Sequence, residues 1–247
     1  MEYSRNYLIH YYEIDSKRKL SLSTLIHYLE DLAMLNSTDQ GLTLDYYDET
    51  HRGWMLFKWD INIYQYPMFN ETIKISTHPS AFKNFLANRE YSVFNKDGKL
   101  LAEAKSVWLF ADTKTRRPLR VPEEMYSKFD VGKESEAVFY KLDELSLVSE
   151  GSHTLKVTVR HSDTDTNKHV NNVRYIDWAM ESLPESFRED HIVKRVQVNY
   201  KKELNPGDEA EVVSLIHEDE NELYTLHTIY NTGKDICNLK LQWKKNL

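Results

Sequence analysis

The polar run from Asp163 to Asn172 is the part of the sequence best suited to chemistry. It brings Asp165, Asn167 and His169 into one short stretch between a predicted strand and a predicted helix. An imidazole ordinarily has a pKa near 6.5 and can accept a proton near neutral pH, while carboxylates and amides can orient it or hold a water molecule. These residue types therefore suit acid–base chemistry on a bound molecule.

A metal-binding loop is the simplest alternative for the same run. Asp163, Asp165 and Asn167 match the first, third and fifth ligands of a calcium loop. However, Lys168 replaces the required glycine and Arg174 replaces the final glutamate. Helix capping alone explains Asn171 or Asn172. The other nine histidines are scattered without paired ligand spacing, and the chain has one cysteine. The sequence therefore predicts no metal site and no cofactor.

Hydrophobic spacing divides the chain into two similar series of elements. In the first series, apolar residues at helical spacing predict a long helix from Leu20 to Asn36. In the second series, the segment from Asn172 to Leu183 predicts a helix. Alternation of apolar and polar residues predicts strands at 59–63, 72–77, 85–94 and 100–110 in the first series, and at 155–159, 196–200, 211–216, 222–230 and 235–243 in the second.

The two series resemble copies of one unit. A shift of 150 residues aligns Asp15 with Asp165 and Ile26 with Ile176, and a shift of 137 aligns segment 66–71 with 203–208. The smaller shift predicts about thirteen extra residues after the first helix, roughly from Thr38 to Gly53. A shift of 135 aligns four identical residues around a hairpin: Gly98, Lys99, Lys105 and Trp108 with Gly233, Lys234, Lys240 and Trp243. We predict a duplicated unit of helix plus antiparallel sheet; chance similarity of two hairpins is the alternative.

The segment between the copies, from about Asp112 to Ser152, is charged and contains Pro118 and Pro122. It has little sustained periodicity, which is typical of a long connector. The sequence therefore predicts a first unit at 1–120, a connector at 121–152 and a second unit at 153–247.

Three motifs resemble those of a known family. The segment from Asp165 to Trp178 resembles the Asp-x-Asn-x-His-Val-Asn-Asn signature, with its aromatic-rich helix, of plant and bacterial fatty acyl-ACP thioesterases. The segment from Tyr200 to Glu203 matches the family's Tyr-basic-basic-Glu motif, and Thr115 to Pro118 is a third match. The resemblance covers nearly the whole chain. It implies an α+β fold of two tandem hotdog units, each a long helix wrapped by an antiparallel β-sheet.

The resemblance implies catalytic roles for Asn167, His169, Glu203 and Asp165 in hydrolysing the thioester of fatty acyl-ACP during fatty acid biosynthesis. Such hydrolysis needs a nucleophile, a proton acceptor and a stabiliser of the tetrahedral oxyanion. His169 would accept the proton, and Glu203 would orient it, activate water or attack directly. Asn167 would hold the water or the carbonyl, and Asp165 would orient Asn167 or the loop.

Two parts of this mechanism stay open at the level of sequence. Backbone amides near Val170 and Asn171, at the start of the helix, are further candidate donors to the oxyanion. The residue types also do not decide between direct attack by Glu203 and general-base catalysis on water.

The chain departs from the family pattern at one position. Many members carry cysteine directly after the glutamate, where this chain has Leu204. The single cysteine, Cys237, aligns with Ala102 in a repeated strand, so we expect it to be a small buried residue. A cysteine nucleophile is therefore not expected.

The first copy lacks the catalytic residue types. Lys17 and Lys19 stand where the second copy has its amide and imidazole, and Tyr66 stands in place of the glutamate. We therefore expect one active site, on the second unit. By family analogy the first unit shapes the acyl pocket, with candidate lining residues Leu29, Leu32, Ala33, Trp54 and Trp59.

Charge and composition restrict the partners. A net charge of −7 disfavours nucleic-acid binding. The chain has no run of 18 apolar residues for membrane insertion and no apolar leader at its start, and the lone cysteine fits the cytoplasm. A local positive patch could dock the acidic acyl carrier protein, although a solvated connector is the alternative; its candidate residues are Arg116, Arg117, Arg120, Lys201 and Lys202.

Other functions stay open beside the leading one. An acyl-CoA thioesterase would use the same chemistry, and a hotdog dehydratase also combines histidine with an acid. A non-catalytic acyl-binding module would be expected to have lost Asn167, His169 or Glu203, all of which are present. Acyl chain length is not predicted, and the chain is expected to be a monomer or a homodimer.

Overall fold

A computed structural model describes residues 2–132 and 138–246. The chain forms two compact units, Met1–Phe57 with Ile63–Leu142 and Lys58–Asn62 with Asp143–Leu247. The first unit contains helices α1 (Leu22–Asp39), α2 (Leu44–Thr50) and α3 (Glu123–Lys128), and strands β1 (Tyr3–Leu8), β2 (Arg52–Ile63), β3 (Thr72–Lys83), β4 (Leu86–Asn95) and β5 (Leu100–Asp112). Its strands are ordered β1-β3-β4-β5-β2, and β1, β3, β4 and β5 pair antiparallel.

The second unit repeats this architecture with shorter helices. It contains β6 (His153–Thr158), α4 (Asn172–Glu181), α5 (Glu185–Asp190), β7 (His191–Tyr200), β8 (Glu209–Glu218), β9 (Leu223–Asn231) and β10 (Lys234–Lys245). The strands are ordered β6-β8-β9-β10-β7 and pair antiparallel. Residues 58–62 of β2 belong to this unit and pair antiparallel with β7, where Lys58 lies opposite Asn199.

Each long helix begins at a capping residue and buries one face. Ser21 caps α1 by accepting a hydrogen bond from the Thr24 amide, and Asn171 caps α4 by accepting one from the Val173 amide. The apolar residues that predicted the helices are buried: Leu25, Ile26, Leu29, Leu32 and Ala33 on α1, and Val173, Tyr175, Ile176 and Ala179 on α4. The helix-plus-antiparallel-sheet unit is therefore present twice, as predicted.

The duplication extends to backbone hydrogen bonds before each helix. The Asp15 and Asp165 amides donate to the carbonyls of Lys19 and His169 at 2.8 and 2.9 Å. The Leu20 amide donates to the Pro67 carbonyl at 2.8 Å, and the equivalent Val170 amide donates to Leu204 at 2.9 Å. The Ser21 amide donates to the Glu13 carbonyl, and the equivalent Asn171 amide donates to Asp163, both at 2.9 Å. These pairs obey the shifts of 150 and 137 residues that the sequence indicated. We call this shared set of backbone bonds the loop frame.

The frame also repeats an unusual backbone conformation. Arg18 and Lys168 both lie in the left-handed region, with φ of 63° and 64°. Such a conformation is uncommon for a residue with a side chain, and here it recurs at equivalent positions. The backbone geometry therefore does not depend on the catalytic residue types, which only the second copy carries.

The first unit differs from the sequence prediction at several points. The sequence did not predict strand β1, helix α3, or helix α2, which lies among the extra residues after the first helix. The start of the predicted connector is not a free crossing, because its apolar residues pack into the core of the first unit: Val121, Met125, Phe129 and Val131 join Leu42, Phe82, Ala87 and Phe110. The exact domain limits 1–120, 121–152 and 153–247 stay a prediction.

The core of the second unit contains a polar network around His227, which is completely buried. Its Nδ1 lies 2.6 Å from Ser214 Oγ, and its Nε2 lies 2.7 Å from Thr225 Oγ1. Ser214 Oγ lies 2.6 Å from the hydroxyl of Ser182, the residue that caps the end of α4, and Trp243 Nε1 donates to Thr225. The network ties the end of the helix to strands β8, β9 and β10.

Among residues 2–132 and 138–246, no helix is both long and apolar enough to cross a membrane. Within the same ranges, no group of three or more His, Cys, Asp or Glu side chains is arranged to hold a metal ion.

Candidate active site

The second unit brings His169 and Glu203 together. His169 Nε2 lies 3.7 Å from Glu203 Oε2, although 34 positions separate the residues in the chain. Their side chains are 26% and 38% exposed, so solvent can reach both. An imidazole and a carboxylate at this distance can exchange or share a proton after a small rotation of either side chain. This is the pairing that the sequence motifs predicted.

The loop frame positions the glutamate beside the histidine. The Val170 amide donates to the Leu204 carbonyl at 2.9 Å, which joins the residue after the histidine to the residue after the glutamate. The Leu204 amide in turn donates to the hydroxyl of Tyr175 on α4 at 3.2 Å. The residue after Glu203 is therefore held by a backbone bond to the loop and by a side-chain bond to α4.

Two tyrosines support this junction, and sequence reasoning gave neither a role at the site. The Tyr200 hydroxyl donates to the Asn172 carbonyl at 3.1 Å, and its ring packs edge-on against Tyr175. Burial raises the pKa of the Tyr175 hydroxyl, with smaller contributions from neighbouring groups that include Glu203 and Asp165. Tyr175 therefore stays a neutral hydrogen-bonding group. Its place on the buried helix face was visible in the sequence, but its contact with Leu204 was not.

Asp165 acts on the loop itself. Its Oδ1 accepts the Asn167 amide at 2.8 Å, and its carbonyl accepts the Lys168 amide at 3.0 Å. The left-handed Lys168 then turns the chain toward His169. Asn167 is exposed, as is expected of a side chain that must meet a substrate.

The expectation that amides near Val170 and Asn171 could stabilise an oxyanion is wrong for these two groups. Both amides already donate to carbonyls, that of Val170 to Leu204 and that of Asn171 to Asp163. The spacing suggested a helix start with available donors, but the loop frame uses them to close the loop. The side-chain amide of Asn167 is therefore the better candidate.

Asp163 lies close to the candidate catalytic residues in the chain, and sequence reasoning considered it only as a possible calcium ligand. Its carboxylate is buried and bonded to Arg160, and it also lies near Arg174. The hydrogen bond from Arg160 lowers the pKa of this carboxyl below its ordinary value, against the opposing effect of burial. An acid with arginines on either side in the sequence was the signal that could have indicated an ion pair.

The candidate lining residues of the acyl pocket lie in different places. Leu29, Leu32 and Ala33 are buried on one face of α1. Trp54 packs against the rings of Phe82 and Phe110. These rings lie in the aromatic core of the first unit, which also contains Val121 and Met125. Trp59 is almost fully buried, and it lies in the segment 58–62, which groups with the second unit.

The candidate docking residues form two separate sets. Arg117 and Arg120 are exposed and Arg116 is partly buried after β5, where the Arg116 guanidinium lies 3.7 Å from Met55 Sδ. In the second unit Lys201 and Lys202 are exposed, but Lys201 forms an ion pair with Asp235.

Cys237 lies in β10, fully buried and not in a disulfide. Burial raises the pKa of its thiol, which disfavours the reactive thiolate. We expect Cys237→Ala to retain kcat/KM and to lose about 1 kcal/mol of stability from the small cavity. Thiol release and thermal unfolding of the purified variant test this; a folded but inactive variant would contradict it.

The fold and the site together define a class. Each unit is a hotdog. The second unit carries the partly exposed pair of His169, which precedes α4 in the chain, and Glu203. Residues 1–129 match the family model of the acyl-ACP thioesterase N-terminal domain, and residues 148–245 match that of the C-terminal domain. The chain belongs to the acyl-ACP thioesterase family.

Individual relatives agree with this assignment. The chain is 29% identical over 217 residues to a chloroplastic palmitoyl-acyl carrier protein thioesterase of Gossypium hirsutum, covering 81% of this chain and 52% of the relative. It is 25% identical to oleoyl-acyl carrier protein thioesterase 2 of Arabidopsis thaliana, covering 98% and 77%. A crystal structure provisionally assigned as an oleoyl thioesterase from Lactobacillus plantarum has a TM-score of 0.91 and 28% identity, covering 100% and 97%. The chain spans about half the length of the cotton relative.

Proposed function

We propose that this chain hydrolyses the thioester of fatty acyl-ACP, releasing the free fatty acid and the carrier thiol in fatty acid biosynthesis. The observation that carries the proposal is the His169–Glu203 pair at 3.7 Å in a unit that matches the family's C-terminal domain. The curated relatives are described as acting on palmitoyl and oleoyl carrier thioesters, which supports an acyl-ACP substrate for this chain.

The residues can divide the chemistry as follows. Water attacks the thioester carbonyl while Glu203 and His169 together accept its proton, and the Asn167 side-chain amide donates to the developing oxyanion. Collapse of the tetrahedral intermediate breaks the carbon–sulfur bond, and the imidazolium returns the proton to the departing thiolate. Asp165 keeps Asn167 in place through the bond to its backbone amide.

Thiol release from medium- and long-chain acyl-ACP and from the matching acyl-CoA tests the proposal. We expect faster cleavage of the carrier form, with no cofactor added. Preference for acyl-CoA would favour the acyl-CoA thioesterase alternative. Hydration or dehydration of hydroxyacyl substrates without thiol release would favour a dehydratase, and acyl binding without turnover would favour a binding module.

We further propose that Arg116, Arg117 and Arg120, which we call the arginine patch, dock the acidic carrier. A favourable field around exposed arginines raises the rate of association with an acidic partner and weakens as salt is added. We expect the double variant Arg116→Glu/Arg117→Glu to lower kcat/KM on acyl-ACP and to lose most of its salt dependence. Steady-state kinetics over a range of ionic strength measure this effect.

The control for the docking prediction reverses two exposed lysines at the end of β10, Lys244 and Lys245. It changes the net charge by the same amount at a site with no proposed role. An unchanged kcat/KM in the arginine variant, or an equal loss in both variants, would contradict docking at the arginine patch.

The remaining assignments rest on the same family relationship. We propose that Leu29, Leu32, Ala33 and Trp54 line an acyl pocket of the first unit. Their side chains are apolar, and all are buried except Trp54, which is partly buried, so they suit an alkyl chain. We also propose that the protein acts in the cytoplasm as a monomer or homodimer, whereas the plant relatives are described as chloroplastic.

A further inference from the structure

Asp163 is a buried carboxylate directly before the catalytic loop. Its residue is 1% exposed, in a short 3-10 turn that follows β6. Removing a carboxylate from water is costly unless charged partners and hydrogen bonds compensate for it. The proposed hydrolysis assigns this group no chemical step, so its burial needs another explanation.

The side chain of Asp163 is bonded to Arg160, which precedes the loop in the chain. Its Oδ2 accepts the Arg160 amide at 2.9 Å and Arg160 Nε at 3.1 Å, and its Oδ1 accepts Nη2 of the same arginine at 3.0 Å. This is a two-pronged, charge-assisted contact, which fixes orientation as well as distance. The pKa of Asp163 is lowered chiefly by this contact, so the carboxylate stays charged at neutral pH.

The same residue also contacts the far end of the loop. Its carbonyl accepts the Asn171 amide at 2.9 Å, and its Oδ1 lies 3.8 Å from Nε of Arg174 in the first turn of α4. Asn171 follows Val170, whose amide is bonded to the carbonyl of Leu204 beside Glu203. Contacts therefore run from Asp163 through the end of the loop to the segment that carries the glutamate.

The first unit contains an equivalent acid without the chemistry. Glu13 occupies the position 150 residues earlier, where its Oε2 accepts the His10 amide at 2.7 Å and lies 3.1 Å from His10 Nδ1. Its carbonyl accepts the Ser21 amide at 2.9 Å, as that of Asp163 accepts Asn171. The frame thus uses a buried or partly buried acid in both copies, and only the second copy has catalytic side chains to position.

We propose that Asp163 is a positioning residue, which clamps both ends of the 163–171 loop and so sets the spacing between His169 and Glu203. This inference rests on the proposed hydrolysis. A misplacement of about 1 Å at a reacting group can cost on the order of 10²-fold in rate, so a clamp that touches no substrate can still control kcat.

The test compares Asp163→Asn with its matched variant in the inert copy, Glu13→Gln. Each keeps the shape of the side chain and removes its charge, so both are expected to lower the unfolding temperature. We expect Asp163→Asn to lower kcat by roughly 10- to 100-fold with little change in KM, and Glu13→Gln to leave kcat unchanged. Asp163→Glu should restore part of the rate, because the first copy places a glutamate in the same frame.

A second readout does not depend on activity. Amide hydrogen exchange should become faster in residues 165–171 of Asp163→Asn, while residues 15–21 keep the wild-type rate. Glu13→Gln should give the reverse pattern. If Asp163→Asn does not fold, Arg174→Ala takes its place, since this arginine is partly exposed and its removal loosens the same clamp.

Two results would overturn the clamp. One is a wild-type kcat and wild-type exchange in Asp163→Asn; the other is an equal loss of kcat in Asp163→Asn and Glu13→Gln. A wild-type protein that cleaves no thioester would instead reject the proposed hydrolysis, and the exchange experiment would still decide whether Asp163 clamps the loop.

Discussion

We expect the replacement of His169 by alanine to lower kcat on acyl-ACP by roughly 10²–10⁴-fold, the range typical for the loss of a general base. His169 Nε2 lies 3.7 Å from Glu203 Oε2, and without the imidazole the carboxylate must take the proton of water alone. KM should change little, because the substitution leaves the proposed acyl pocket intact. Thiol release under saturating substrate measures the effect, with circular dichroism to show that the variant is folded.

The partner variant Glu203→Gln tests whether the two groups act in one step. Residues that act as a unit have strongly non-additive effects, so the double variant should lose little more than the worse single variant. Lys19→Ala, at the equivalent position of the inert copy, is the matched control and should keep its rate. Full activity in His169→Ala, or losses that simply multiply in the double variant, would contradict a shared proton-transfer step.

We expect acidification to destabilise the protein through His227. Burial lowers the pKa of this imidazole to about 3, whereas an exposed histidine in the unfolded chain has a value near 6.5. Between these values the unfolded state binds a proton that the folded state does not bind. The contribution of His227 to the free energy of unfolding therefore falls as pH falls below 6.5, by up to about 1.4 kcal/mol per pH unit, and levels off below the folded pKa.

Urea unfolding from about pH 7 to about pH 4.5 measures this slope. His227→Gln keeps polar contacts to Ser214 and Thr225 within reach but cannot titrate, so its stability should depend less on pH even if it is lower at pH 7. His217→Gln, at an exposed histidine paired with Asp219, is the control and should keep the wild-type slope. Equal slopes in wild type and His227→Gln would show that other groups cause the acid sensitivity.

Periodicity and spacing predicted most of the fold. The helices α1 and α4 and every strand except β1 were at least partly visible, because a buried face imposes a regular pattern on the sequence. The three residue shifts predicted the duplication, and the same backbone hydrogen bonds of the loop frame occur in both copies. The pairing of His169 with Glu203 was predictable only through the family motifs, since no local rule joins residues so far apart in the chain.

The parts that were missed depend on contacts rather than on patterns. Helices α2 and α3 are short and are stabilised by packing in the aromatic core of the first unit, which leaves little periodic signal. The bond from Leu204 to Tyr175 and the burial of Asp163 require the folded chain to bring distant segments together. The sequence also did not show that the Val170 and Asn171 amides donate to carbonyls, because a sequence does not show where a carbonyl points.

The recurrence of the loop frame has a consequence for the engineering of this protein. A loop with the same backbone bonds and the same left-handed residue accepts Lys17 and Lys19 in one copy and Asn167 and His169 in the other. Folding therefore places little constraint on which side chains the loop displays in either copy. The inert copy is, for the same reason, a ready-made position at which new reactivity could be introduced.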